Sequence, residues 1–180
     1  HGGNNPEVIV AEASLLAGKG DLNQALDVYR EGIKLFPATG DRMYAGMAML
    51  LQRHHQVDDI PSLMEEGLKE YPESLNLWLL QVRSLATLGK HDQALEAARQ
   101  ADVVLQAQIE ASPASLENDE LDPLVASSPH PLPEATDSFL VELADFYVQQ
   151  GQVERAVGIL KPLSDSGELE LSPSLWLARI

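Results

Sequence analysis

Two histidines and two aspartates near the middle of the sequence are its best candidates for acid–base or metal chemistry. His54 and His55 are adjacent, and Asp58 and Asp59 follow them closely. Imidazole and carboxylate groups are common zinc ligands and common general acids and bases. The side chains of adjacent residues such as His54 and His55 point in different directions, however. Nothing else in the sequence would hold the two imidazoles and the two carboxylates together. The pattern therefore favours a surface turn, and we expect no metal ion or other cofactor.

Other residues that resemble catalytic motifs also have structural explanations. Gly18-Lys19-Gly20 lacks the glycine spacing and the hydroxyl residue of a phosphate-binding loop. Ser62, Ser84 and Ser138 have no neighbouring histidine and acid in the arrangement of a hydrolase. The sequence has no cysteine, which excludes a thiolate nucleophile and a cysteine-ligated metal. We therefore expect a protein that is not an enzyme.

The charge of the chain limits its partners. The 180 residues include 12 Lys and Arg against 28 Asp and Glu, a formal net charge of -16. Such an excess of acid opposes binding to nucleic acid phosphates and to anionic lipids. No apolar run approaches the roughly 20 residues needed to span a bilayer. These observations disfavour nucleic acid binding and direct membrane insertion, and they favour a protein partner.

A repeating unit of helix, turn and helix organises the chain. Ala25-Leu26 returns as Ala94-Leu95, 69 residues later, and again as Ala156-Val157. The first interval equals two units of about 34–35 residues, a length typical of helical-hairpin repeats. The sequence predicts such hairpins at 6–39, 40–74, 75–111 and 137–170. Asp21 followed by Gln24 also predicts a capping box at the second helix of the first hairpin.

The four hairpins share a frame of large, small and turn residues. In the first hairpin the frame consists of Ile9, Ala13, Leu16, Gly20, Ala25, Tyr29 and Pro37. In the second hairpin, Tyr44, Ala48 and Leu51 match it, whereas His55 stands at the place of the turn glycine. This frame resembles the tetratricopeptide repeat (TPR), with many divergent examples in bacteria. The resemblance implies an all-α, right-handed superhelical solenoid of antiparallel helical hairpins with about four and a half repeats.

Three further segments complete the predicted organisation. Residues 1–5 are expected to be a tag remnant or an N-terminal tail. Residues 112–136 contain five prolines and no Lys or Arg, which predicts an acidic, proline-rich insertion. Residues 171–180 resemble the start of the third hairpin and predict the orphan first helix of a fifth repeat. This helix is expected either to cap the solenoid or to mark a cut from a longer protein.

The resemblance also implies where a partner binds. In this family, peptides lie along the concave surface formed by the first helices of the hairpins. The residues that map to that surface here are Val10, Ser14, Arg42, Ala45, Met49, Arg53, Asn76, Leu79, Arg83, Val141 and Asp145. The family's clamp for chaperone carboxyl termini uses lysine and asparagine at several of these positions, and those residues are absent here.

Three arginines on the expected surface suggest the chemistry of the ligand. Arg42, Arg53 and Arg83 are three of only 12 cations in the chain. Guanidinium groups bind carboxylates through paired hydrogen bonds. The ligand could therefore be an acidic peptide, a C-terminal carboxylate or the acidic insertion of the chain itself.

The leading interpretation is a protein–protein interaction scaffold or adaptor, and two alternatives remain open. Similar repeats precede glycosyltransferase and sulfotransferase domains, so the chain could be the accessory domain of a larger enzyme. Trp176 and Leu177 could instead mediate self-association through the terminal helix. The sequence leaves the compartment open between the cytoplasm and the periplasm of a bacterium, including a domain of a larger envelope-associated protein.

Overall fold

The computed structural model describes residues 5–111 and 134–165, and the regular structure of these two ranges is helical throughout. The helices are α1 (Pro6–Gly18), α2 (Leu22–Leu35), α3 (Gly40–Arg53), α4 (Ile60–Glu70), α5 (Leu75–Thr87), α6 (His91–Ala111), α7 (Glu134–Gln149) and α8 (Val153–Asp165). Two single 3-10 turns, Pro37–Thr39 and Val57–Asp59, precede α3 and α4. The all-α prediction is confirmed.

Prolines and polar residues set several helix ends. Pro6 lies in the first turn of α1, and the Asn5 side chain accepts a hydrogen bond from the backbone nitrogen of Glu7 at 3.0 Å. α2 ends just before Pro37, because proline cannot donate the next helical hydrogen bond. The capping box predicted at α2 is wrong: Asp21 is the N-cap residue, but its side chain makes no capping hydrogen bond.

The helices form hairpins through one type of turn, used four times. A backbone N–H beyond the turn donates to the carbonyl five residues earlier, a Schellman arrangement that closes the end of a helix. The four bonds are Asp21 N to Leu16 O (3.0 Å), Gln56 N to Leu51 O (2.9 Å), Lys90 N to Leu85 O (2.9 Å) and Gln152 N to Tyr147 O (2.8 Å). The repeated unit predicted from the sequence is therefore also a repeated backbone geometry.

The chain divides into two compact units, of which the first comprises residues 1–100. In this unit α1 packs on α2, and α3 packs on α4. The first helices of consecutive hairpins also meet, α1 with α3 and α3 with α5. The second helix of a hairpin packs against the first helix of the next, α2 on α3 and α4 on α5. We call α1, α3, α5 and α7 the A helices and α2, α4, α6 and α8 the B helices. The core lies between the A and B helices and includes Ala13, Ala25, Met43, Met64 and Leu77.

The second unit comprises residues 101–180. Its described residues are 101–111, at the end of α6, and 134–165, which form α7 and α8. α7 and α8 pack as a hairpin around buried Leu140, Leu143, Ala144 and Leu160. Arg155 of α8 forms an ion pair with Asp102 of α6 at 3.4 Å. The guanidinium of Arg155 also lies over the Tyr147 ring, 5.4 Å from its centre.

α7 begins at Glu134, one turn before the hairpin predicted at residue 137. The last proline of the predicted insertion is at position 133, so helix can form from the next residue onward. Residues 1–4 of the predicted tag remnant, residues 112–133 of the predicted insertion and the predicted terminal helix lie outside the described residues. Within the two described ranges, no helix is both long and apolar enough to cross a membrane.

Candidate protein-binding face

The A helices of the first unit expose most of the residues that the sequence assigns to the binding surface. Their exposure follows from the packing of the hairpins: Ile9 and Ala13 of α1 are buried, so Val10 and Ser14, one position further along, turn away from the core. The same relation holds in α3, where Tyr44 and Ala48 are buried. The exposed residues of the predicted surface in this unit are Val10, Ser14, Arg42, Met49, Arg53, Asn76 and Arg83, which we call the A-helix face.

The remaining predicted residues are less accessible. Ala45 is half-buried on α3, and Leu79 is buried on α5 with 9% of its surface exposed. Val141 and Asp145 lie on α7 of the second unit, where both are half-buried. Leu79 therefore has little surface to offer a partner in this conformation.

Tyr29 brings two predicted residues from neighbouring A helices together. Its side chain is almost fully buried on α2, and burial raises the pKa of its hydroxyl. A hydrogen bond with Ser14 of α1 and the positive charge of Arg53 of α3 act on the same hydroxyl and oppose that rise in the pKa. Ser14 and Arg53 therefore both lie close to one phenol group at the junction of the first two hairpins. The sequence placed Tyr29 only in the core frame, and nothing in the residue pattern indicated that its hydroxyl reaches this surface.

A small cavity marks the junction of the second and third hairpins. It has a volume of about 70 Å³ and lies between α3 and α5, beside the turn that leads into α4. Gln52 and Ala48 line it from α3, and Arg83 and Thr87 line it from α5. The Thr87 hydroxyl donates to the backbone oxygen of Arg83 at 2.8 Å. Arg83 and Gln52, which directly precedes Arg53, thus line the same cavity.

Large apolar side chains stand among the polar residues of this face. Val10 is 42% exposed on α1 and Met49 is 53% exposed on α3. Exposed apolar groups beside cationic groups can bind a chain that carries both apolar and acidic side chains. Methionine is well suited to this because its flexible thioether adapts to different partners.

The histidine pair lies in the turn between α3 and α4. His54 follows the last residue of α3, and His55 adopts φ = 60° in the turn that leads to α4. Among the described residues, no group of three or more His, Asp or Glu side chains is placed to hold a metal ion. The surface turn expected from the sequence is what the backbone forms.

Within the described residues, four hairpins have the same turn geometry between their two helices, which defines a helical-hairpin repeat fold. No protein-family model matches the sequence, and no curated protein matches it. Solved structures do match: the chain is similar to MamA (residue 41 to the end) from Desulfovibrio magneticus RS-1, with 15% identity and a TM-score of 0.50, over 94% of this chain and 80% of that one.

Two further structures name the repeat explicitly. A tetratricopeptide repeat protein from Parabacteroides merdae ATCC 43184 is 14% identical with a TM-score of 0.54, over 93% of this chain and 56% of that one. A putative kinesin light chain from Podospora anserina, with nearly identical TPR-like repeats, is 16% identical with a TM-score of 0.53, over 93% and 78% of the two chains. The chain therefore has a TPR-like fold, as the shared frame of the hairpins predicted.

Proposed function

We propose that this chain is a protein-interaction scaffold that binds an extended acidic segment of a partner protein along the A-helix face. The observation that carries the proposal is the exposure of Val10 and Met49 on the face where Arg42 and Arg53 are also exposed. Removing large apolar side chains from water favours association with a partner. A bound peptide would cover them.

Charge supports an acidic segment as the ligand. The chain has 12 cations against 28 acids, whereas the A-helix face includes three arginines and no acid. Each guanidinium can pair with a carboxylate through two hydrogen bonds, which gives both orientation and affinity. The excess of acid over the rest of the chain disfavours an acidic ligand elsewhere, so binding would be confined to the A-helix face.

Reversal of the three arginines tests this proposal. We expect Arg42→Glu, Arg53→Glu and Arg83→Glu, combined in one protein, to weaken binding by about a hundredfold or more, because each reversal replaces a charged hydrogen bond with repulsion. The probe is a display library of random short peptides, from which binders to the unaltered protein are selected and measured by calorimetry. Selected sequences should be enriched in Asp and Glu, and circular dichroism should show unchanged helix content.

A second triple variant controls for charge alone. Lys19→Glu, Lys69→Glu and Lys90→Glu change the net charge by the same amount at exposed positions outside the A-helix face. Binding by this control should fall only slightly. Equal losses in the two variants, or full binding by the arginine variant, would refute the proposal.

A further inference from the structure

A second surface lies on the side of the B helices. It is an open groove of about 490 Å³ between α4, α5 and α6, within the first unit. Its floor is formed by Leu68 of α4, by Trp78, Gln81 and Leu85 of α5, and by Ala97 of α6, and we call it the B-helix groove. A volume of this size falls in the range of pockets that bind ligands.

The unusual residue of the groove is a buried glutamine. Gln81 is only 5% exposed, and its Oε1 atom has no hydrogen-bond partner among the described residues. Buried polar atoms are nearly always paired, and an unpaired one disfavours the folded state. Gln81 lies three residues after Trp78, and the matching places of the second and fourth hairpins hold the buried apolar residues Met47 and Leu143. The unpaired oxygen can accept a hydrogen bond from a ligand that supplies a donor.

The aromatic side chain beside Gln81 is held in a defined orientation. The Nε1 of Trp78 donates to the backbone oxygen of Pro72 at 2.9 Å, and the ring is half-exposed. Leu68 and Leu85 are buried on either side of the floor. A fixed indole between two leucines is an anchoring point for an apolar side chain, because little conformational freedom is lost when the side chain binds.

Acidic residues dominate the charge at the edges of the groove. Glu65 is exposed on α4 and forms no ion pair within the described part of the chain. Glu96 is exposed on α6, where Arg99 and Gln100 donate to it at 3.3 and 3.0 Å. Among the described residues, Lys69 is the one cation that lines the groove. Since Arg99 already pairs with Glu96, the carboxylate of Glu65 and the net charge of -16 are what favour a cationic partner.

The shape of the α6 wall fits a helix. Gln93, Ala97 and Gln100 line the groove at helical spacing, over two turns or about 10 Å of α6. The small Ala97 at the centre of this wall lets another backbone approach closely, as at helix–helix contacts.

We propose that the B-helix groove binds a basic amphipathic helix of a partner protein. An apolar side chain of this helix packs on Trp78 between Leu68 and Leu85, a donor of the same helix pairs with Gln81, and its Lys or Arg side chains face Glu65 and Glu96. This interface is separate from the A-helix face, has the opposite charge preference and does not rest on the function proposed for that face.

A display library of short peptides tests the proposal on the full chain. Peptides are selected on the unaltered protein and counter-selected on a protein with Glu65→Lys and Glu96→Lys. We expect the selected sequences to carry apolar residues at helical spacing together with Lys or Arg. Their affinity should fall about tenfold or more in the double variant, since two attractive charges become repulsive. A control with Glu12→Lys and Glu110→Lys, exposed acids outside the groove, should bind normally, as should the A-helix-face arginine variant.

A second variant tests the role of the glutamine. Gln81→Met keeps the length of the side chain and removes the carboxamide. We expect the melting temperature to rise, because an unpaired buried oxygen is lost, and we expect affinity for the selected peptides to fall about tenfold. A lower melting temperature would mean that the oxygen is already paired in the free protein, and it would overturn the proposal. So would unchanged peptide affinity in this variant, acidic rather than basic selected sequences, or a selection that enriches no peptide.

Discussion

One backbone angle governs the turn of the second hairpin. His55 adopts φ = 60°, where the other three hairpins have Gly20, Gly89 and Gly151 with φ between 71° and 92°. A side chain other than glycine is strained in this left-handed region by about 1–2 kcal/mol, because its Cβ approaches the backbone carbonyl. The turn nevertheless forms, since its two backbone hydrogen bonds, from His55 and Gln56 to the end of α3, are both made.

We therefore expect His55→Gly to stabilise the protein. Relief of the strain outweighs the extra freedom that glycine brings to the unfolded chain, which leaves a net gain of about 0.5–1 kcal/mol. Urea denaturation followed by circular dichroism measures the change in the free energy of unfolding. The matched control is Gln56→Gly at the next position, where φ is -96° and glycine offers no relief. This control should lose stability, and a loss of stability by His55→Gly as well would contradict the explanation.

At the scale of helices, a glycine in each of the first two B helices sets how closely the hairpins approach. Gly32 and Gly67 occupy the same place in their units, 35 residues apart. A Cβ atom at Gly67 would lie 2.9 Å from Cγ of Tyr44 and 3.1 Å from Cδ1 of Leu77. The Tyr44 ring has little freedom to move, because its hydroxyl donates to Glu66 at 3.3 Å and its edge meets the Tyr71 ring. Burial and the charge of Glu66 raise the pKa of Tyr44, so the hydroxyl keeps the proton that it donates.

Gly67→Ala should consequently destabilise the first unit, although alanine is the better helix former. We expect a loss of about 1–3 kcal/mol, the usual range when a methyl group is forced into a packed core. Thermal and urea denaturation would report it. Gly158→Ala in α8 is the control, because nothing lies within 4 Å of a Cβ placed there. That change should stabilise its helix by up to about 1 kcal/mol. If both variants gain stability, the close packing at Gly67 is not what requires glycine.

The helices could be predicted from the sequence because prolines and glycines mark their ends and because apolar residues recur at helical spacing. The exposure of individual side chains could not be predicted from the sequence. The frame gives Val10 and Leu79 the same place, yet Val10 is exposed and Leu79 is buried. Among the described residues, α1 has a neighbouring A helix on one side only. How far a neighbour covers a given residue depends on crossing angles that no residue pattern specifies. The unpaired oxygen of Gln81 could not be predicted either, because it depends on which donors among the described residues lie near it in the folded protein.

At the scale of the whole molecule, the acidic excess is the dominant electrostatic feature. A net charge of -16 on 180 residues makes the folded chain repel itself. Several of the ion pairs within the described residues are local pairs on one helix, such as Arg30 with Asp27 and Lys34 with Glu31. Exposed pairs of this kind contribute little and do not offset the general repulsion.

We expect stability at neutral pH to rise with salt for this reason. Raising NaCl from about 0.01 M to about 0.3 M shortens the screening length from roughly 30 Å to well below 10 Å, which removes most repulsion between distant carboxylates. The urea midpoint should increase over this range and then level off, because urea itself is uncharged and screening is then nearly complete. Sodium sulfate at equal ionic strength separates screening from general salting-out, which depends on the anion and keeps growing with concentration. A midpoint that is independent of NaCl, or that rises only with sulfate, would show that the acidic surface does not oppose folding.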